Sequence, residues 1–134
     1  MSRSLIQLAD QSRQTVAENS IIGLGAVQRR FGCNCRLSGN AVELSGEGYY
    51  TIECNVTAAP TAAGPVTVAL FENGAQIPGA IAYGTAAAAG DQVTLPIQAT
   101  VRQGCCCDSA DQITCVLIDG AGTVQNVTMR VEKA

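Results

Sequence analysis

A chain of 134 residues with 8 basic and 11 acidic side chains, a net charge of −3 and no histidine has room for one domain around one core. The weak negative balance excludes an electrostatic footprint for nucleic acid or an anionic membrane, and the missing histidine excludes cysteine–histidine catalysis. Only 14% of residues are charged against 47% hydrophobic, below the ~25% charged of a typical soluble domain, so part of the surface is expected to be covered by identical neighbours.

In the opening MSRSLIQLADQSR, Gln7 and Asp10 break the apolar residues before a secretory h-region could form. No apolar run approaches the ~20 residues of a membrane span. The chain is therefore expected to fold in a reducing cytoplasm. Residues 1 to 14 have two readings, an arm reaching outside the domain or a first strand completing a sheet, and residues 15 to 134 form one domain. In FGCNCRL, Cys33 and Cys35 alternate with Asn34, which suits a strand. Gly39-Asn40 and Gly46-Glu47-Gly48 punctuate the chain as turns. YYTIECNVTA then alternates with period two, Tyr50, Ile52, Cys54 and Val56 against Thr51, Glu53, Asn55 and Thr57, the pattern of a half-buried strand.

PVTVALFENGAQIPGAIAYG reads as a hairpin turning at Asn73-Gly74, because both residues tolerate positive φ. The four alanines from Ala86 to Ala89 are too few, and too closely flanked by Gly84 and Gly90, to stand as a helix. DQVTLPIQATVR is a further strand, with Pro96 on the outward register of an edge strand or bulge. QITCVLIDGAGTVQNV is expected to turn back on itself at Asp119-Gly120, and VQNVTMRVEK reads as a terminal strand. The pattern predicts an all-β fold, a compact jelly-roll sandwich of about eight to ten antiparallel strands. Its inward set is Tyr50, Ile52, Cys54, Val56, Val68, Leu70, Val93, Leu95, Ile97, Val101, Ile113, Cys115, Leu117, Val127, Met129 and Val131.

Seven cysteines stand out, three of them consecutive in GCCCD. Structural zinc prefers ligands two to four residues apart, so C-x-C and C-C-C are poor chelating frames. An odd count in a reducing compartment argues against a disulfide framework. Asp108 would raise a neighbouring thiol pKa and so oppose a nucleophile. Cys54 and Cys115 fall on apolar strand positions as small hydrophobes, and Cys105, Cys106 and Cys107 are expected in a loop near a subunit contact. Most thiols are expected to be free, although a ring of them in a symmetric oligomer could take up a metal or crosslink in air. No catalytic residue, cofactor site or metal site is assigned: glycines sit in turns rather than before a helix, and Asp108/Asp111 and Glu43/Glu47 read as solvated turns.

The order of motifs LSGNAVELSGEGYYTIECNVTAA, VTVALFENGAQIPGA, DQVTLPIQATV and QITCVLIDGAGTVQNVTMRVEKA resembles the jelly roll of tumour-necrosis-factor-like and complement globular-head domains. The matching positions are Gly48-Tyr49-Tyr50, Leu70 through Gly74, and Val124 through Val131. RRFGCNCRLSGNAVELSGEGYY is similar to small stand-alone proteins of Firmicutes prophages, and the resemblance covers residues 15 to 134. A Gly-x-y collagen stalk, present in related spore-surface proteins, is absent from this sequence.

The resemblance implies a homotrimer without enzymatic activity, a capsid decoration or head-fibre protein of a bacteriophage. Such a protein is made in the bacterial host cytoplasm and docks through the phage major capsid protein on the capsid surface of the virion. The other role it implies is a bacterial or spore surface module binding a glycan or receptor. Because it precedes the recognisable jelly roll, the N-terminal segment is the candidate docking arm, with Ser2, Arg3, Leu5, Ile6, Leu8 and Arg13 as its contact residues.

Overall fold

A computed structural model of the chain describes residues 4–103 and 111–133. Twelve strands run through them: β1 Ser4–Asp10, β2 Gln14–Val16, β3 Ser20–Ile21, β4 Ala26–Phe31, β5 Cys35–Ser38, β6 Ala41–Leu44, β7 Gly48–Pro60, β8 Gly64–Glu72, β9 Ala75–Ala86, β10 Val93–Gln103, β11 Asp111–Asp119 and β12 Gly122–Lys133. They form two antiparallel sheets, β10-β7-β12-β1-β4 with β2 beside β12, and β5-β6-β11-β8-β9 with β3 beside β11. The architecture is the expected jelly-roll sandwich. The strands beyond the expected number include β2 and β3, three and two residues long, too short to show a period.

The thirteen-residue β7 carries the register of the first sheet. Tyr50, Ile52, Cys54 and Val56 are buried, whereas Tyr49, Thr51, Glu53 and Asn55 are exposed. Its neighbours keep the same parity: Val101, Ala99, Ile97 and Leu95 of β10 stand opposite Tyr50, Ile52, Cys54 and Val56, and Val131, Met129 and Val127 of β12 oppose the last three. From the second sheet Val42, Leu44, Val66, Val68, Leu70, Ile113, Cys115 and Leu117 complete the core, joined by Ile22 and Leu24. Fully burying each such Val, Leu or Ile side chain contributes about 1.5–3 kcal/mol. Of the residues expected to face inward, only Val93 is half-buried, packed at the margin of the core.

β1 is hydrogen-bonded between β12 and β4, and its Ile6 and Leu8 are fully buried. Pro96, exposed on β10, lies on an edge strand, where a residue without an N–H leaves no ladder bond missing. Ala86 closes β9, and no helix follows it.

The Asn73-Gly74 hairpin forms as expected. Both residues have positive φ, 52° and 85°, the two-residue turn whose twist matches flanking strands. Asp119-Gly120 is different. β11 and β12 belong to opposite sheets, so this segment crosses the sandwich instead of turning a hairpin. Gly122 there lies so near β7 that a Cβ would stand 2.4 Å from the Ala59 carbonyl oxygen. That close approach lets β12 pair with β7, and the glycines that resembled a hairpin signal serve the crossing. FGCNCRL is likewise not one strand: β4 ends at Phe31, Gly32 turns with φ 79°, and β5 begins at Cys35.

Asn34 explains that break. Its backbone N–H donates to Ser4 Oγ, its Nδ2 donates to the Ser45 carbonyl at 2.7 Å, and Ser4 Oγ donates to its Oδ1 at 2.7 Å. The Tyr50 hydroxyl donates to the carbonyls of Ser45 and Gly46, each at 2.8 Å. The beginning of β1, the β4–β5 link and the β6–β7 crossing are thereby tied at one end of the sandwich. Burial, with the nearby Cys35 and Asp111, pushes the Tyr50 phenol up to about 12, so the donor keeps its proton. Tyr50→Phe is expected to leave the far-ultraviolet spectrum unchanged while lowering stability by about 1–3 kcal/mol in urea unfolding. An unchanged midpoint would show that water replaces the hydroxyl without loss.

Candidate interaction surface

The N-terminal residues considered for docking do not converge on one surface. Ile6 and Leu8 fill the core, because β1 is an interior strand of the first sheet, and cannot reach a partner while it stays paired. Leu5 is half-buried on the opposite face, between Glu132 and Phe31 on the neighbouring strands. Arg13 is exposed in the link from β1 to β2. Ser2 and Arg3 lie outside the described residues, as do Cys105, Cys106 and Cys107. Cys33 is exposed in the β4–β5 bend, and Cys35 is buried at the start of β5, where burial pushes its thiol up to about 11.

The two outer faces of the sandwich differ in chemistry. On the first sheet, β7 and β10 present Thr51, Glu53, Asn55, Pro96, Gln98 and Thr100 to solvent. Arg130 of β12 bridges Glu53 and Glu132 at 3.6 and 3.4 Å across this face. Exposed pairs of this kind contribute little to stability. A cavity of about 340 Å³ opens between β7 and β10, lined by Glu53, Asn55, Pro96 and Gln98 with Cys54 and Ile97.

The second sheet instead carries an apolar row across four strands. Ile21 of β3 is paired with Val116 of β11, Val116 with Ala69 of β8, and Ala69 with Ile81 of β9, so all four residues point to the same side. Phe71 and Tyr83, two positions along from Ala69 and Ile81, extend the row. Ile21 is 50% exposed and Tyr83 74% exposed. Ala69 and Val116 are buried although they face outward. On the strands of this sheet the one arginine, Arg36, is paired with Glu43. Glu72, Asp111 and Asp119 lie at strand ends around the row, and Glu18 is exposed just before β3, so the surroundings are acidic.

Sequence periodicity alone misses this surface. It searches for one polar and one apolar face, whereas in VTVALF only Thr67 interrupts the apolar residues and CVLI is apolar in both parities. That loss of alternation is the signal, and it reads equally well as a strand covered on both sides.

At one end of the sheet Glu72 and Asp111 approach each other. Asn73 holds the turn there, donating from Nδ2 to Asp111 Oδ1 at 2.8 Å and accepting from the Gln112 N–H at 2.9 Å. Burial, then a hydrogen bond to Asp111 and its negative charge, push the Glu72 carboxyl up to about 7. The folded protein therefore binds this proton more tightly than the unfolded chain does. The stabilisation is complete below the ordinary glutamate range and is lost as pH rises through about 7. Glu72→Gln, which keeps the shape and removes the titration, is expected to flatten the dependence of the urea midpoint on pH between about 5 and 8. A variant with the parent's full pH dependence would place that titration elsewhere.

No family model matches the chain, and no curated protein matches it in sequence. Solved structures do match its fold. Murine APRIL at pH 5.0 superposes with a TM-score of 0.77 at 11% identity, covering 99% of this chain and 100% of that one. The globular domain of zebrafish complement 1qA gives 0.69 at 6% identity, covering 94% of each chain. The vertex protein P5 of PRD1 gives 0.64 at 11% identity, covering 97% of this chain and 95% of its own. At these identities the likeness is one of fold, and the chain shares the jelly roll of tumour-necrosis-factor-like and complement globular-head proteins.

Proposed function

We propose that this chain is a non-enzymatic structural protein of a bacteriophage particle, a homotrimer that decorates the head by docking on the major capsid protein. The observation that carries the reading is the apolar row Ile21–Val116–Ala69–Ile81 on an outer sheet face where a solvated sheet would carry polar residues. Ile21 and Tyr83 leave large apolar side chains exposed on this face, the kind of surface that marks a contact with another protein. Its acidic surroundings favour a capsid surface with an apolar centre and a basic rim. Association into a trimer accords with the low charged fraction of the whole chain. The shared fold with a phage vertex protein supports a place on the particle. Many copies on a repeating lattice gain avidity from modest individual contacts.

Light scattering on the purified protein is expected to give three times the 13.8 kDa chain mass, and purified heads are expected to retain the trimer. Ile21→Glu and Tyr83→Glu, each placing a carboxylate on the apolar face, are expected to keep the trimer and weaken capture on heads by roughly tenfold or more. A monomer, or variants captured as well as the parent, would contradict the reading. A trimer that ignores heads but binds intact bacteria or spores would move the role to a cell surface.

A further inference from the structure

Cys54 in the middle of β7 and Cys115 in the middle of β11 belong to opposite sheets, and their sulfurs lie 3.9 Å apart across the core. Both are buried. Ile97 and Met129 stand beside Cys54 on the neighbouring strands, and Leu70 stands beside Cys115. Either cysteine alone would be a small hydrophobe. Together they are the one place among the described residues where thiols from the two sheets meet. An S–S bond of ~2.05 Å requires each sulfur to advance by about 1 Å, the scale of a side-chain adjustment.

We propose that Cys54 and Cys115 are a latent inter-sheet crosslink, left as two thiols when the chain folds and closed to a disulfide by hydrogen peroxide or a peroxide of similar size. One thiol reduces the peroxide and becomes a sulfenic acid, releasing one water. The other sulfur then attacks the sulfenic sulfur, and the displaced hydroxyl leaves with the attacking thiol's proton as a second water. Two thiols and one peroxide thus give one disulfide and two waters. The hydrogen bond with Cys54, together with burial, holds the Cys115 thiol well above its usual range, which makes it a poor nucleophile and its oxidation slow, and the buried position of both sulfurs keeps out bulky reagents. A small oxidant is the class that fits. The closed bond would join strands 61 positions apart in sequence, and a crosslink over so long a loop restricts the unfolded chain strongly.

The test uses the full chain, treated with hydrogen peroxide in native buffer, alkylated in denaturant, and digested with trypsin plus a protease that cuts before aspartate. Fragment 37–90 then carries Cys54 as its one cysteine, and fragment 111–118 carries Cys115 as its one cysteine. The expected product is these two fragments joined by a bond that dithiothreitol breaks, accompanied by a rise in the urea midpoint that the same reductant reverses. Cys33→Ser should retain the rise and Cys115→Ala should lose it; if the latter does not fold, the fragment map of the parent decides alone. Recovery of both fragments alkylated and unlinked, under peroxide that oxidises exposed Cys33, would overturn the proposal. So would Cys54 joined to any other cysteine.

Discussion

The register of β7 is the constraint on which the rest of the molecule depends. Slipping its pairing by one residue would turn Tyr50, Ile52, Cys54 and Val56 to solvent and drive Thr51, Glu53 and Asn55 into the core. Burying Glu53 without a partner alone would cost several kcal/mol. Because β7 is bonded to β10 on one side and β12 on the other, the slip would carry both neighbours out of register. The same register sets the Tyr50 hydroxyl over the Ser45 and Gly46 carbonyls, Cys54 opposite Cys115, and Glu53 beside Arg130 on the outside. One strand thus fixes the core, the closed end of the sandwich, and the contact between sheets.

The sheets differ in what they offer the surroundings. The first, centred on β7 and β12, is a solvated face of threonine, asparagine, glutamine and a small charge network. The second, centred on β11 and β8, carries an apolar row on its outer face as well as an apolar inner face, beside Gln112 and the Arg36–Glu43 pair. That asymmetry gives the molecule a direction. A surface built from paired backbone with side chains in fixed parity is already ordered, and a partner loses little freedom in meeting it. Glu72, at the end of the same sheet, adds a proton whose release near neutral pH would change the local charge.

What was legible in the sequence followed the period. Strands with one wet and one dry face, such as YYTIECNVTA and DQVTLPIQATVR, declare both their type and their core residues. The Asn73-Gly74 turn declares itself because few residue pairs accept positive φ at both positions. Where backbone chemistry serves tertiary contacts, the same letters mislead. Gly120 and Gly122 belong to a crossing between sheets, and Asn34 spends its hydrogen bonds on Ser4 and Ser45 rather than on a ladder. Ile6 and Leu8 could be read as an arm or as a strand because they precede the recognisable jelly roll, and only long-range pairing with β12 and β4 decides. The apolar row was hidden for a further reason: it is assembled across four strands distant in sequence, and no window along the chain contains it.

The Cys54–Cys115 contact, the raised Glu72 proton and the apolar face all follow from two sheets held in one register, and the face bears most directly on the proposed role. Images of phage heads recorded with and without this protein test that relation most directly. The expected difference is a threefold-symmetric knob at repeated lattice positions, seated so that the β3-β11-β8-β9 face meets the capsid. Heads that look the same in both preparations, or knobs that contact the lattice through the polar β7-β10 face, would contradict it.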